Sequence, residues 1–223
     1  VQLLSVGLAR SIWLFDVNEL NPSGKQIFPD VLTWLGEKYS FQSFPKAIVE
    51  TDESKSGYQF KNGEFQTDDG PITANFSIHN DGFIAETFAS TEISDQFLSE
   101  ILRAASSKYG LASNFEPVMR KLYISEVNVR FDHDLSFFGK SFAGFCEKLN
   151  GLMTRHNLPK YEMTGMIFAP DTSATSYKPP GFMLERKTNT PFPANRYWSK
   201  SPFTTSDHLA ALEAYESLLA GEE

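Results

Sequence analysis

Residues 72–89 constrain the fold of this chain more than any other stretch. Ile72, Ala74, Phe76 and Ile78 alternate with Thr73, Asn75, Ser77 and His79, and Asn80-Asp81-Gly82 then turns the chain into a second run, Phe83 to Ala89. A period of two residues sends successive side chains to opposite faces of a strand, so the pattern predicts an antiparallel hairpin with one buried face and one wet face. The apolar face of such a sheet must be covered, which helices packed on one side accomplish.

Helical periodicity supplies the cover. Four helices are expected. Ile27 to Tyr39 carries Val31, Leu32, Trp34 and Leu35 on its apolar side and tolerates Pro29 in its first turn. Ser94 to Tyr109 has Ser94 as its expected N-cap, Ile93 placed to staple onto Leu98, and Gly110 as its stop. A third helix carries Leu135, Phe138, Phe142, Phe145, Leu149 and Leu152 at steps of three or four, a continuous apolar stripe. The last runs from about Thr205 to Ala220 with Leu209, Leu212, Tyr215 and Leu219.

Further strands are read at Val1–Phe15, at Tyr123–Phe131 with an irregularity at Ile124, at Met163–Ala169 and at Gly181–Lys187. A small hairpin, Tyr58-Gln59-Phe60 against Glu64-Phe65-Gln66, is expected to turn at Asn62-Gly63. Strands come in runs with helices between the runs, and no internal sequence repeat is visible. The expected class is therefore α+β, a mainly antiparallel sheet covered by three or four helices. With 223 residues the chain can bury a large core unaided, and it reads as one domain over 1–223. An extended arm rich in proline, aromatic and basic residues is expected at about 188–203, and a boundary within the acidic loop Asp52–Gly70 is the competing division.

The single cysteine, Cys146, excludes an internal disulfide and a multi-thiolate zinc site, and it points to a reducing, cytoplasmic location. Its neighbours Phe142 and Leu149 lead us to expect a buried, inert thiol. The apolar opening stretch is interrupted by Arg10 and lacks both a basic start and a cleavage pattern, so no leader is expected. Nor is a membrane-spanning helix expected, because no apolar run approaches the required ~18–20 residues. A net charge of −8 disfavours nonspecific nucleic-acid and anionic-membrane binding. The charge is uneven. Residues 50–95 are strongly acidic, whereas Lys178, Arg186, Lys187, Arg196 and Lys200 make 172–206 basic.

Two constellations could carry chemistry. Pro170-Asp171 followed by Glu185-Arg186-Lys187 resembles the PD-(D/E)xK signature of a nuclease superfamily. That resemblance implies that Asp171 and Glu185 hold a divalent cation while Lys187 helps to activate water. Glu185 and Lys187 are two apart on an expected strand and so share a face. The plainer interpretation makes Asp171 a turn residue and the other two a solvated pair. The second constellation is the basic and aromatic segment with Arg186, Arg196, Tyr197, Trp198 and Lys200, suited to a phosphate-bearing ligand or, more ordinarily, to protein contact.

Histidines 79, 133, 156 and 208 show no metal-ligand spacing, and Asp134 after Asp132-His133 is expected to cap a helix. No Gly-rich phosphate loop, nucleophile elbow or dinucleotide fingerprint is present, so neither cofactor nor metal is expected. The leading expectation is a non-enzymatic interaction or assembly subunit that contacts a second copy or a protein partner. A metal-dependent nuclease and a nucleotide or anion binder are the alternatives.

Overall fold

The computed structural model describes residues 1–20, 28–45, 57–111, 120–133, 140–156, 163–171, 173 and 180–220. It contains an eight-stranded, mainly antiparallel sheet and four helices, as the hydrophobic periods require. Strands are β1 (Gln2–Leu14), β2 (Tyr58–Thr67), β3 (Gly70–His79), β4 (Gly82–Thr87), β5 (Arg120–Arg130), β6 (Gly165–Phe168), β7 (Phe182–Arg186) and β8 (Arg196–Ser201). Helices are α1 (Phe28–Lys38), α2 (Thr91–Tyr109), α3 (Lys140–Arg155) and α4 (Thr205–Ala220). The chain divides into two compact units. The N-terminal unit is Val6–Ser125 with Phe203–Thr205, and the C-terminal unit is Val1–Ser5, Glu126–Pro202 and Ser206–Glu223.

In the N-terminal unit β2, β3, β4 and β1 are neighbours in that order, and each adjacent pair is antiparallel. The hairpin read from the 72–89 pattern is present, with Phe76 opposite Ala85 and Ile78 opposite Phe83. Its apolar face joins a cluster in which Phe97 of α2 meets the rings of Tyr39, Phe41, Phe65 and Phe76. Helix α1 contributes Val31, Leu32 and Leu35 to the same core. Burial of this apolar surface is the dominant favourable term for the unit.

Two local expectations change. The hairpin at Asn62-Gly63 does not form: residues 58–67 are the single strand β2, paired with β3 from Tyr58 to Thr67 with a register shift between Phe60 and Gly63. Asn62 takes φ 54 and absorbs the irregularity as a bulge, because Phe60 and Phe65 must both reach the core. Gly63 sits against the Phe41 ring, where an added Cβ would lie 2.5 Å away. The N-cap of α2 is Ser90, not Ser94: the Ser90 side chain accepts from the Ile93 N–H at 3.2 Å. Ser94 is buried inside the helix, and its hydroxyl donates to the Ala9 carbonyl. Gly110 ends α2 as expected, in the left-handed conformation at φ 64.

In the C-terminal unit β8, β7 and β6 run side by side, again antiparallel. Along β5 burial alternates from Ser125 onward, with Ser125, Val127 and Val129 buried, whereas Leu122, Tyr123 and Ile124 are all half-buried, so the period is broken around Ile124. Phe131 packs edge-on against Tyr197 and Tyr215, while Leu184, Leu212 and His208 are fully enclosed. The segment expected as an extended arm is instead a short 3-10 turn, Phe192–Ala194, followed by β8. Tyr197, Ser199 and Ser201 alternate into the interior with Trp198 and Lys200 on the other face, so strand pairing and burial override the proline-rich composition. The expected cap Asp134 and the start of the Phe-rich helix fall outside the described residues. Within α3 the apolar stripe is not buried, and Cys146 is only half-buried.

Candidate functional site

The register of the β6–β7 hairpin fixes where the nuclease-like residues stand. Gly165 pairs with Glu185 and Phe168 with Phe182. Asp171 therefore follows the loop end of the hairpin, whereas Glu185 lies three residues, roughly 10 Å, along β7 toward the other end. Asp171 is exposed and accepts from both the backbone N–H and the hydroxyl of Ser173, at 2.9 and 2.6 Å, and these bonds hold its carboxyl below the usual range. Lys187 donates to the Asn128 side chain at 2.6 Å. Among the described residues, no group of three or more His, Cys, Asp or Glu is placed to hold a metal ion.

The basic and aromatic residues are divided by the strand pleat. Arg196, Trp198 and Lys200 share the outer face of β8, and Glu185 lies opposite Trp198. Lys200 donates to Glu126 at 2.8 Å. Tyr197 points the other way, is fully buried, and carries the Arg186 guanidinium 5.4 Å from its ring centre. A buried Tyr197 has no open face on which a base could stack. The outer face is a mixed-charge surface, with Glu126 and Glu185 standing among its cations.

Two polar constellations have no local sequence signature. In the N-terminal unit Asp95 of α2 accepts hydrogen bonds from the Ser11 hydroxyl, the Trp13 indole at 2.7 Å, the Tyr123 hydroxyl at 3.0 Å and the Lys121 ammonium at 3.3 Å. Lys121 also lies 4.1 Å from the Trp13 ring centre. Burial, then the Asp95 charge, pushes the Tyr123 phenol far above its ordinary range. The one clue in the sequence is the two-residue spacing of Ser11 with Trp13 and of Lys121 with Tyr123, which puts each pair on one strand face.

In the C-terminal unit Ser199 and His208 meet at 2.8 Å between Oγ and Nε2, a nucleophile–base distance. The proton count gives a different role. Ser199 has one hydroxyl proton and donates it to the Met183 carbonyl at 2.7 Å, so it accepts from an Nε2–H of His208. A histidine that donates at Nε2 cannot take the serine proton there. Both residues are fully buried, which makes the pair a structural latch.

Several large apolar side chains are also exposed. In the N-terminal unit the first helix, α1, buries Val31, Leu32 and Leu35. In the C-terminal unit the first helix, α3, leaves Phe142 58 %, Phe145 61 % and Leu152 49 % exposed. Strand β6, last in the sheet order, adds Ile167 and Phe168, 61 % and 60 % exposed. Comparison with protein-family models and with curated proteins gives no match for this chain. No helix among the described residues is long and apolar enough to cross a membrane.

Proposed function

We propose that this chain is an assembly module that associates with a second copy of itself through β6 and the apolar side of α3. The observation that carries this reading is the exposure of Phe142, Phe145, Ile167 and Phe168, four large apolar side chains in one unit. Strand β6 is Gly-Met-Ile-Phe, without a charge or a proline, and among the described residues it has a sheet neighbour on one side only. Natural edges are ordinarily guarded by charges, prolines or bulges, so an unguarded apolar edge suits strand addition. Self-pairing also suits the charge balance: an isologous contact places each strand against its own copy, and β6 brings no like charges together in a chain of net charge −8. The mixed charge of the β8 outer face gives a phosphate ligand weaker support.

Light scattering on the full chain tests this. A mass above that of the 25.1 kDa chain at micromolar concentration is expected, with Ile167→Lys and Phe145→Glu returning it to one chain while the circular dichroism spectrum of the folded chain is kept. A wild-type chain that stays monomeric to high concentration overturns the proposal.

A further inference from the structure

The two units repeat one order of elements. Among the described residues, and setting aside the short 3-10 turns Val17–Leu20 and Phe192–Ala194, the chain runs from β1 as strand, helix, three strands, helix, β1-α1-β2-β3-β4-α2, and from β5 as β5-α3-β6-β7-β8-α4 in the same order. Within each unit the three-strand run is antiparallel, and its last strand leads directly into the second helix.

The agreement extends to individual residues. Gly82–Thr87 and Arg196–Ser201 are strands of equal length, and each is followed at the same interval by a helix, starting at Thr91 and Thr205. In that alignment Phe83 matches Tyr197, Ser94 matches His208, Leu98 matches Leu212 and Ile101 matches Tyr215, and all eight are buried. The first strands are each followed directly by the same dipeptide, Phe15-Asp16 and Phe131-Asp132. The Phe15 N–H donates to the Asp81 carbonyl at 3.0 Å, and the Phe131 N–H donates to the carbonyl of Asn195, the matching position, also at 3.0 Å. The Phe15 ring packs edge-on against Phe83 at 4.9 Å, and the Phe131 ring packs edge-on against Tyr197 at 5.1 Å.

On the outer face Arg10 pairs with Glu86, and at the matching places Glu126 pairs with Lys200. The ion pair is kept with its polarity reversed. General requirements of α+β folding do not demand that backbone bonds, ring pairs and an ion pair recur in one register.

We infer that the chain is a tandem duplication of one β-α-β-β-β-α unit. The N-terminal copy buries the apolar side of its first helix, and the C-terminal copy presents that side to the second chain. The division of roles rests on the assembly reading above, whereas the duplication does not.

Two measurements on the full chain separate these parts. In an experimental structure, Cα atoms of Arg10–Phe15 with Gly82–Leu102 should superpose on Glu126–Phe131 with Arg196–Glu216 to well within one residue step, about 3.3 Å along a strand. A larger deviation, or a better fit in a shifted register, overturns the duplication. For the division of roles, amide hydrogen exchange is followed as protein concentration is raised through the association seen by light scattering. Residues 140–156 and 165–168 should exchange severalfold more slowly in the associated chain, with 28–38 and 58–67 unchanged. Protection gained in the N-terminal segments instead, or equally in both, overturns it. Absence of any association overturns the assembly reading and leaves the superposition result standing.

Discussion

His208 donates its Nε2 proton to Ser199 in the interior of the C-terminal unit, and this contact ties helix α4 to strand β8. Phe182 lies edge-on to the imidazole at 5.6 Å. Enclosure without a compensating charge favours the neutral ring and pushes its pKa from 6.5 down to about 4.

The sign of the pH dependence follows. The unfolded chain, with an ordinary histidine, binds more protons than the folded chain between pH 6.5 and about 4. Stability from this group is therefore complete above pH 6.5 and declines as pH falls toward 4, by on the order of 3 kcal/mol. Urea denaturation at a series of pH values should show the decline. His208→Gln, which keeps a donor for Ser199, should flatten it.

Asp95 gathers four donors from β1 and β5 onto α2, so its loss strands several of them at once. Asp95→Ala should cost about 2–4 kcal/mol, because Ser11 and Trp13 are buried and have no water to turn to. Asp95→Asn, which retains one acceptor oxygen, should cost less. Thermal melts of the two variants check the ordering, and equal losses would count against the hydrogen bonds as the cause.

Phe97 is the ring on which Tyr39, Phe41, Phe65 and Phe76 converge, and it is fully buried. Removing it leaves a cavity that rigid aromatic neighbours fill poorly. Phe97→Ala should destabilise the chain by about 3–5 kcal/mol and Phe97→Leu by clearly less. Urea midpoints measured at constant m-value would establish this.

Gly82 opens β4 at φ +149, and a Cβ there would lie 2.0 Å from the Trp13 carbonyl oxygen. The obstruction is backbone, which cannot swing aside. Gly82→Ala should cost roughly 2 kcal/mol or more, whereas Gly70→Ala, at φ +114 with nothing near the added Cβ, should cost only its backbone strain. Comparing the two melting temperatures isolates the steric part.

Much of the fold was legible because local pattern and burial coincide. The alternation in 72–78 and the apolar steps of α2 and α4 each follow from which side faces the core. Where a residue satisfies two local rules, only its surroundings decide between them. Asn62-Gly63 reads as a hairpin turn, but Phe60 and Phe65 need the same face, and the strand bulges instead of reversing. Ser94 could cap a helix, yet the Ala9 carbonyl and Thr87 claim its hydroxyl inside the core.

By itself the sequence determined the class of fold and the positions of most strands and helices, because side-chain periodicity acts over a few residues and needs no knowledge of distant partners. It also marked the C-terminal basic and aromatic stretch, but the strand pleat alone sends Tyr197 inward and Arg196, Trp198 and Lys200 outward. Tertiary structure alone decided that Asp95 meets Trp13 and Tyr123, that Ser199 receives a proton from His208, and that α3 keeps its apolar stripe in the open. It also uncovered the repeat, since two copies can conserve burial, backbone bonds and an ion pair while exchanging many of the side chains that carry them. Packing constrains volume, polarity and direction at each position, and several residue types meet the same constraint.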